Sequence, residues 1–259
     1  MTLPLRPLGQ TGIHVSCLGL GTVKFGRNQQ VKYPTNFSLP EDNAVRALLD
    51  QAQQAGINLI DTAPAYGSSE QRLGRLLQAR DKWIICSKVG EEFSNGKSFY
   101  NFTGEHTRQS VERSLRDLKT DYLDVVLIHS DGRDEEILDT TDCLATLLQL
   151  KQEGCIRAIG MSTKTVSGGL KAAALTDVVM VTYNLATQDD GTVIDAALSA
   201  NKGVMIKKAL NSGHACIGNE GGADASLRFV LQRPGVSTAI IGTLNPAHLA
   251  VNVAVAAAC

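Results

Sequence analysis

The stretch that decides the fold is residues 56–67, which read GINLIDTAPAYG. Its first half is a short apolar run that ends in the carboxylate of Asp61, and the phenol of Tyr66 follows soon after. A short apolar run between turn residues is typical of a strand that is buried on both faces of a parallel sheet. Because the polar residues come only where the run ends, we predict that this stretch leaves a buried strand and enters a functional loop.

Similar apolar runs recur along the chain and alternate with helical patterns. The eight candidate strands are residues 15–20, 58–61, 83–88, 123–129, 158–161, 178–183, 203–207 and 238–241. Helix starts lie between them, such as the capping-box spacing of Ser68 and Gln71, and Asn245 followed by Pro246. Eight such units in 259 residues have the size and order of a (β/α)8 TIM barrel. A doubly wound parallel sheet is the alternative fold.

Residues 5–15 precede the first barrel strand, and the Gly-Gln-Thr-Gly sequence at 9–12 predicts the turn of a β-hairpin. We expect this hairpin to close the bottom of the barrel, where the strands begin. The sequence contains no stretch typical of an interdomain linker, so we predict one barrel domain over residues 1–259. The glycine-rich patch at 218–222 is interpreted as a mobile loop beside the site.

The composition argues against several classes of partner. A net charge of −1 gives no electrostatic reason to bind nucleic acid or an anionic membrane. The sequence starts without the apolar run of a signal peptide and contains no stretch of about 18 apolar residues, so we expect a cytoplasmic protein. The five histidines and six cysteines lack paired ligand spacing, and no metal site is predicted. The sequence does not indicate an oligomeric state.

Four polar side chains lie at or just beyond predicted strand ends: Asp61, Tyr66, Lys88 and His129. The C-terminal ends of parallel barrel strands share one mouth, so we expect these groups to meet there. A tyrosine exchanges its proton slowly at neutral pH, because its reference pKa is about 10, and a neighbouring ammonium lowers that value. Each residue taken alone has a structural explanation as a helix cap, a loop residue or a core residue. Together they form a set that can protonate an oxygen while a hydride moves at the adjacent carbon.

These residues belong to a series of motifs that resembles the aldo-keto reductase superfamily. The motifs are GLGT at 19–22, DTAPAYGSSE at 61–70, SKVG at 87–90, LIH at 127–129, IGMS at 159–162, YN at 183–184 and IIGT at 240–243. The resemblance implies an NAD(P)H-dependent enzyme that reduces an aldehyde or ketone to an alcohol. It implies that Tyr66 is the general acid, that Lys88 and Asp61 tune its pKa, and that His129 orients the substrate carbonyl.

The resemblance also implies that a nicotinamide dinucleotide lies across the barrel mouth. The residues at matching positions are Gly21, Thr22, Lys24, Ser162, Thr163, Lys207, Lys208, Leu210, Ser212, Gly213, Gly242, Thr243, His248 and Asn252. Met180 stands where a glutamine that binds the carboxamide is common, and Lys207 stands where an aromatic residue usually stacks on the nicotinamide. Gly242 and His248 stand where a lysine and an arginine often bind the 2′-phosphate. The usual cofactor of the family favours NADP(H), and the residues at these two positions keep NAD(H) as the alternative cofactor.

Two other functions stay open at this point. One is the oxidation of a sugar or pyridoxal-type alcohol with NAD(P)⁺, and the other is a nucleotide-binding regulatory protein with little turnover. In either enzyme reading the partner is a small-molecule carbonyl or alcohol. A pocket for hydroxylated or charged substrates could be lined by the polar residues Arg27, Glu91 and Glu92. The alternative is that these three are ordinary surface residues of exposed loops.

Overall fold

The computed structural model describes residues 3–216 and 222–259. Its strands are β1 (Leu5–Pro7), β2 (His14–Ser16), β3 (Leu18–Gly21), β4 (Leu59–Asp61), β5 (Ile84–Val89), β6 (Glu91–Ser94), β7 (Lys97–Tyr100), β8 (Leu123–His129), β9 (Ile156–Ser162), β10 (Val178–Thr182), β11 (Gly203–Lys207) and β12 (Thr238–Ile241). Its α-helices are α1 (Val23–Gly26), α2 (Asp42–Gln54), α3 (Ser69–Leu76), α4 (Gly104–Leu118), α5 (Asp134–Thr140), α6 (Cys143–Gln152), α7 (Val166–Leu175), α8 (Gly191–Ser199), α9 (Gly222–Leu231) and α10 (Pro246–Ala257).

Eight of these strands close into a parallel barrel, in the order β3, β4, β5, β8, β9, β10, β11 and β12, with helices between them. The predicted (β/α)8 fold is therefore confirmed. Strand β4 shows why apolar and polar residues do not alternate along these strands. Leu59 belongs to the cluster inside the barrel, whereas Ile60 belongs to the larger cluster that also contains Leu48 of α2 and Leu73 of α3. Both faces of the strand are buried, and each such side chain contributes about 1.5–3 kcal/mol of hydrophobic stabilisation.

The predicted N-terminal hairpin is present, because β1 pairs with β2 in antiparallel register. Leu8, Ile13 and Val15 from this region join the interior cluster together with Leu59 and Val178. Leu59 is the first residue of β4 and Val178 is the first of β10. The hairpin therefore fills the end of the barrel at which strands begin and leaves the opposite mouth for the site.

The prediction of one strand over residues 15–20 was wrong, because this segment is divided between β2 and β3. The change of direction is held by Ser16, whose hydroxyl donates to the carbonyl of Leu18 at 2.5 Å. The amide of Ser16 donates to Asn58 Oδ1 at 2.7 Å, so this corner is tied to the chain just before β4. The hydrophobic run continues through the corner, and so the run alone does not reveal it.

Two further features bear on the site. The antiparallel hairpin of β6 and β7, which follows β5 directly, was not predicted from the sequence. Of the predicted glycine-rich loop at 218–222, only Gly222 lies within the described residues, where it begins α9.

A buried carboxyl group supports the packing of α3 on the barrel. Glu70 accepts hydrogen bonds from the hydroxyls of Ser87 at 2.5 Å and Ser114 at 3.0 Å. Burial raises the pKa of Glu70 from 4.5 to about 7, although both hydroxyls oppose the shift. The folded protein therefore binds the proton more tightly than the unfolded chain does. This contribution to stability is complete below pH 4.5 and is lost as the pH rises through about 7.

We expect Glu70→Gln to remove this pH dependence, because the amide keeps the shape of the side chain and carries no charge. The variant should match the wild type near pH 4.5 and exceed its free energy of unfolding by roughly 3 kcal/mol above pH 7.5, at about 1.4 kcal/mol for each pKa unit. Urea denaturation across this pH range measures the difference. Glu112→Gln, at an exposed position of α4, is the control. A difference that does not change with pH would contradict the assignment.

Candidate active site

The four side chains predicted to meet do so at the barrel mouth. Lys88 Nζ lies 2.5 Å from Asp61 Oδ1 and donates to the carbonyl of Thr62 at 2.9 Å. The Tyr66 hydroxyl donates to Asp61 Oδ2 at 3.4 Å, and Lys88 Nζ lies 4.6 Å from the centre of the Tyr66 ring. The rings of Tyr66 and His129 meet edge to face, with their centres 6.3 Å apart.

Strand register and one tight turn produce this arrangement. Asp61 ends β4, Lys88 is the penultimate residue of β5, and His129 ends β8. Tyr66 closes a short 3₁₀ turn over Pro64–Tyr66, and Gly67 follows with a φ of 62°. A Cβ atom at Gly67 would lie 2.2 Å from the carbonyl oxygen of Gly26. The turn that carries Tyr66 therefore requires glycine for both its backbone angle and its close packing.

The electrostatics favour a charged lysine and a protonated tyrosine. Burial opposes the ammonium of Lys88, but Asp61 outweighs burial, and the pKa of Lys88 is raised. Burial and then Asp61 also raise the pKa of Tyr66 above its ordinary value, and Lys88 opposes this shift. The ammonium alone was expected to lower the tyrosine pKa. Asp61 neutralises much of that effect, so Tyr66 keeps its proton.

His129 is held as a neutral imidazole. Burial lowers its pKa well below the ordinary value, and Lys88 and Lys207 lower it further. Glu91 Oε2 lies 3.1 Å from His129 Nδ1, which is within ion-pair distance, although the ring N–H direction misses hydrogen-bond geometry. The sequence marked Glu91 only as a polar residue of the loop, because the hairpin that carries it gave no clear pattern. Its neighbour Glu92 turns instead to Arg113 and His106 of α4.

Lys207 faces Ser162 and Thr163 across the mouth. Its Nζ donates to Ser162 Oγ at 2.9 Å and to the carbonyl of Thr163 at 2.6 Å. Burial, and then Lys208, lower the pKa of Lys207 to about 7. The hydroxyl of Thr163 is buried and makes no hydrogen bond to the residues that the structure describes. Lys207, at the position where the family usually has an aromatic residue, thus connects the end of β11 to the end of β9 by hydrogen bonds. Met180 lies in the apolar interior cluster.

The residues expected to bind the cofactor at the end of the first barrel strand make contacts within the protein. Gly21 ends β3, and the Thr22 hydroxyl donates to the carbonyl of Asp61 at 2.9 Å. It also accepts a hydrogen bond from Ser69 at 2.8 Å. Lys24 Nζ lies 4.1 Å from the centre of the Tyr33 ring. In this structure Thr22 therefore fixes the backbone at Asp61, and Lys24 lies against the loop between α1 and α2.

The loop after β11 turns through left-handed backbone angles. Positive φ angles occur at Lys208, Asn211, Ser212 and Gly213, with Leu210 between them. The amides of Asn211 and Gly213 donate within the loop, to the carbonyls of Lys208 and Leu210 at 2.8 Å each, so the turn itself uses these N–H groups. Lys208 adds an exposed amine at the same place, and partial desolvation lowers its pKa.

The loop after β12 carries no fixed positive charge. Gly242 and His248 are exposed, and the Thr243 hydroxyl accepts the amide of Asn245 at 3.0 Å. The side chain of Asn245 caps α10 by accepting the amide of Ala247. Asn252 is buried in α10. Thr243, which was expected at the cofactor, thus helps to shape the loop, and Asn245 is the helix cap that the sequence predicted.

Within residues 3–216 and 222–259 there is no group of three or more His, Cys, Asp or Glu residues placed to hold a metal ion. No helix in this described part of the chain is long and apolar enough to cross a membrane.

The profile of the Aldo/keto reductase family matches residues 17–225 of the sequence. The chain belongs to this family. A solved structure of a Pseudomonas aeruginosa protein assigned to the aldo-keto reductases superposes with a TM-score of 0.91 at 51% identity, covering 99% of this chain and 96% of that one.

Curated relatives of this aldo/keto reductase family member include oxidoreductases. It is 36% identical to L-galactose dehydrogenase of Arabidopsis thaliana over 168 residues, which are 62% of this chain and 48% of that protein. It is 34% identical to the NADH-specific methylglyoxal reductase of Escherichia coli over 168 residues, 60% of this chain and 50% of that protein. The matched part of the chain spans about half the length of such curated relatives.

We expect Asp61→Asn to lower the free energy of unfolding by about 3 kcal/mol, because it leaves the buried Lys88 ammonium without a counter-charge. Adding Lys88→Met should recover part of the loss, since the uncompensated charge is removed. Urea denaturation of both single variants and the double variant measures this coupling. Asp195→Asn, which breaks an exposed pair with Arg233, is the control and should cost less than about 1 kcal/mol. Additive losses at Asp61 and Lys88 would contradict the coupling.

Proposed function

We propose that this protein reduces an aldehyde or ketone to an alcohol with a nicotinamide dinucleotide, and that Tyr66 is the general acid. The observation that carries the proposal is the buried contact of Lys88 with both Asp61 and the Tyr66 ring. A protonated phenol beside a fixed ammonium can release its proton to an oxygen, because the ammonium stabilises the tyrosinate that remains.

The residues present fit a dinucleotide. The hydroxyl of Thr163, which has no hydrogen-bond partner among the described residues, offers a polar contact to a carboxamide, and the exposed amine of Lys208 offers a positive charge to a pyrophosphate. When bound, a reduced nicotinamide supplies the hydride that adds to the carbonyl carbon. Ser162 and Thr163 would hold the carboxamide end, and Lys208 and Gly213 would lie beside the phosphates.

The chain's own residues handle the proton. As the carbonyl carbon is reduced, its oxygen takes the proton of the Tyr66 hydroxyl and becomes the alcohol. Lys88 stabilises the resulting tyrosinate, and Asp61 keeps Lys88 charged. Solvent at the mouth returns a proton to Tyr66. His129 lies across from Tyr66 and would hold the substrate by a hydrogen bond.

On cofactor choice, we propose that NAD(H) is used at least as well as NADP(H). The family habit that favours NADP(H) depends on fixed charge at the 2′-phosphate, and the loop after β12 offers only Gly242 and the exposed His248 there. The NADH-specific relative from Escherichia coli supports this choice.

The oxidation of an alcohol is the second candidate, and the L-galactose dehydrogenase relative favours it. In that direction Tyr66 would accept the proton that it gives during reduction. Rates measured with each cofactor in both directions distinguish the two.

We expect Tyr66→Phe to lower kcat for aldehyde reduction by about 10²–10⁴-fold, because only the acid is lost. The dissociation constants of NADH and NADPH, measured by calorimetry, should stay within about threefold of the wild type. Tyr122→Phe removes a phenol at the opposite end of the barrel, just before β8, and serves as the control. Comparable turnover by Tyr66→Phe would refute the role of Tyr66.

We expect His248→Arg to tighten NADPH binding about tenfold and to leave NADH binding unchanged, because a guanidinium can bind the 2′-phosphate with two hydrogen bonds. Calorimetric titration with each cofactor measures this selectivity. His14→Arg adds the same charge at the barrel bottom and is the control. An equal change for both cofactors would show that His248 does not face the 2′ position.

A further inference from the structure

Lys207 brings an amine to the candidate active site. Its Nζ donates to Ser162 Oγ at 2.9 Å and to the carbonyl of Thr163 at 2.6 Å, so the side chain reaches from β11 across β10 to the end of β9. Ser162 is in register with His129, the last residue of β8. Burial and Lys88 lower the pKa of His129 most, and Lys207 acts next. The amine is therefore close enough to the site to influence a charge there.

No carboxylate contacts the amine of Lys207 among the residues that the structure describes, although the side chain is half-buried. Burial and then Lys208 lower the pKa of Lys207 to about 7. Asp190 and Asp134 oppose this shift from a distance, and Lys164 adds to it. The carboxylates of Asp190 and Asp134 accept backbone amides instead. Lys207 therefore changes between ammonium and neutral amine near neutral pH.

The proposed function implies which side of the mouth a nicotinamide ring faces. Tyr66, Lys88 and His129 follow or belong to β4, β5 and β8, which are neighbours in the barrel. A hydride donor shares the substrate carbonyl with these groups, so its ring faces the remaining strand ends, β9 and β11 among them. There the buried hydroxyl of Thr163 has no hydrogen-bond partner among the described residues, and a carboxamide would supply one.

Lys207 contacts both residues that would hold the carboxamide, so its charge lies beside the ring, an inference that rests on the proposed function. The oxidised nicotinamide ring carries a positive charge, and the reduced ring is neutral. We propose that Lys207 is a specificity residue for the redox state of the cofactor, because its ammonium repels the ring of NAD⁺ and does not repel that of NADH. The protein then takes up the reduced cofactor and releases the oxidised one more readily.

The discrimination depends on pH. Below about pH 7 the ammonium of Lys207 opposes the oxidised ring, and above it the neutral amine does not. The phosphates are the same in NAD⁺ and NADH. The attraction of other positive charges for phosphate therefore cancels in the ratio of the two dissociation constants, and the ratio isolates the effect at the ring.

Calorimetric titration with NADH and NAD⁺ at about pH 6 and about pH 8.5 tests the proposal without turnover. In the wild type, Kd for NAD⁺ divided by Kd for NADH should fall roughly five- to tenfold from the lower to the higher pH, the repulsion expected for two unit charges about 10 Å apart near a protein surface. Lys207→Met should give the lower ratio at both pH values. Lys207→Arg should give the higher ratio at both, because a guanidinium keeps its charge. A wild-type ratio that is independent of pH would overturn the proposal, whether or not any variant folds.

Two comparisons assign the effect. Lys208→Met removes a charge one residue away and, at about pH 6, should weaken both complexes without changing their ratio. Glu70 also titrates near pH 7 and is retained in Lys207→Met, so a pH-dependent ratio in that variant would overturn the role of Lys207. Failure of the wild type to bind either cofactor would refute the proposed function and this inference with it. Tight binding of both with an invariant ratio would refute the role of Lys207 alone.

Discussion

A lysine ammonium with only 2% of its side chain exposed stays charged because Asp61 lies 2.5 Å away. Moving either charge from water into the protein costs several kcal/mol, so neither residue is tolerated there without the other. The two strands that carry the pair are neighbours in the barrel, with Asp61 in register with Cys86. The ion pair thus joins the ends of two neighbouring barrel strands and also determines the charge of Lys88 at the mouth. The pKa of Tyr66 depends on the same pair, because its hydroxyl contacts the carboxylate of Asp61 and its ring lies beside Lys88.

Lys207 shows what happens without such a partner. It is a second lysine at the mouth and is half-buried, but only the hydroxyl of Ser162 and the carbonyl of Thr163 accept its hydrogen bonds among the contacts described. Neutral oxygens compensate the cost of burial less than a carboxylate does, so the pKa of Lys207 falls to about 7 while that of Lys88 rises. Two lysines at strand ends of one barrel therefore have pKa values that are shifted in opposite directions.

The sequence predicts the barrel and the four strand-end residues because both depend on local patterns. Apolar runs mark strands that are buried on both faces, and a polar residue at the end of a run marks the mouth. It does not predict the Glu91 contact, since that depends on a hairpin of only four residues in each strand and on the rotation of one side chain. It gives the wrong sign for the Tyr66 pKa, because the balance of burial, Asp61 and Lys88 is set by distances that spacing does not contain.

The charges around the mouth do not cancel evenly. Burial isolates the imidazole of His129, and Lys88, Lys207, Lys164 and Arg27 all act to lower its pKa. The carboxylates nearest to it are committed, since Asp61 contacts Lys88 and Glu91 contacts Arg27. Pairing therefore cancels much of the charge that Lys88 and Arg27 bring to the mouth, and the positive charge that remains in this set comes from Lys164 and from Lys207, whose pKa is about 7. Since Lys207 gains its proton as the pH falls through about 7, the attraction of the mouth for an anionic ligand should strengthen over the same range.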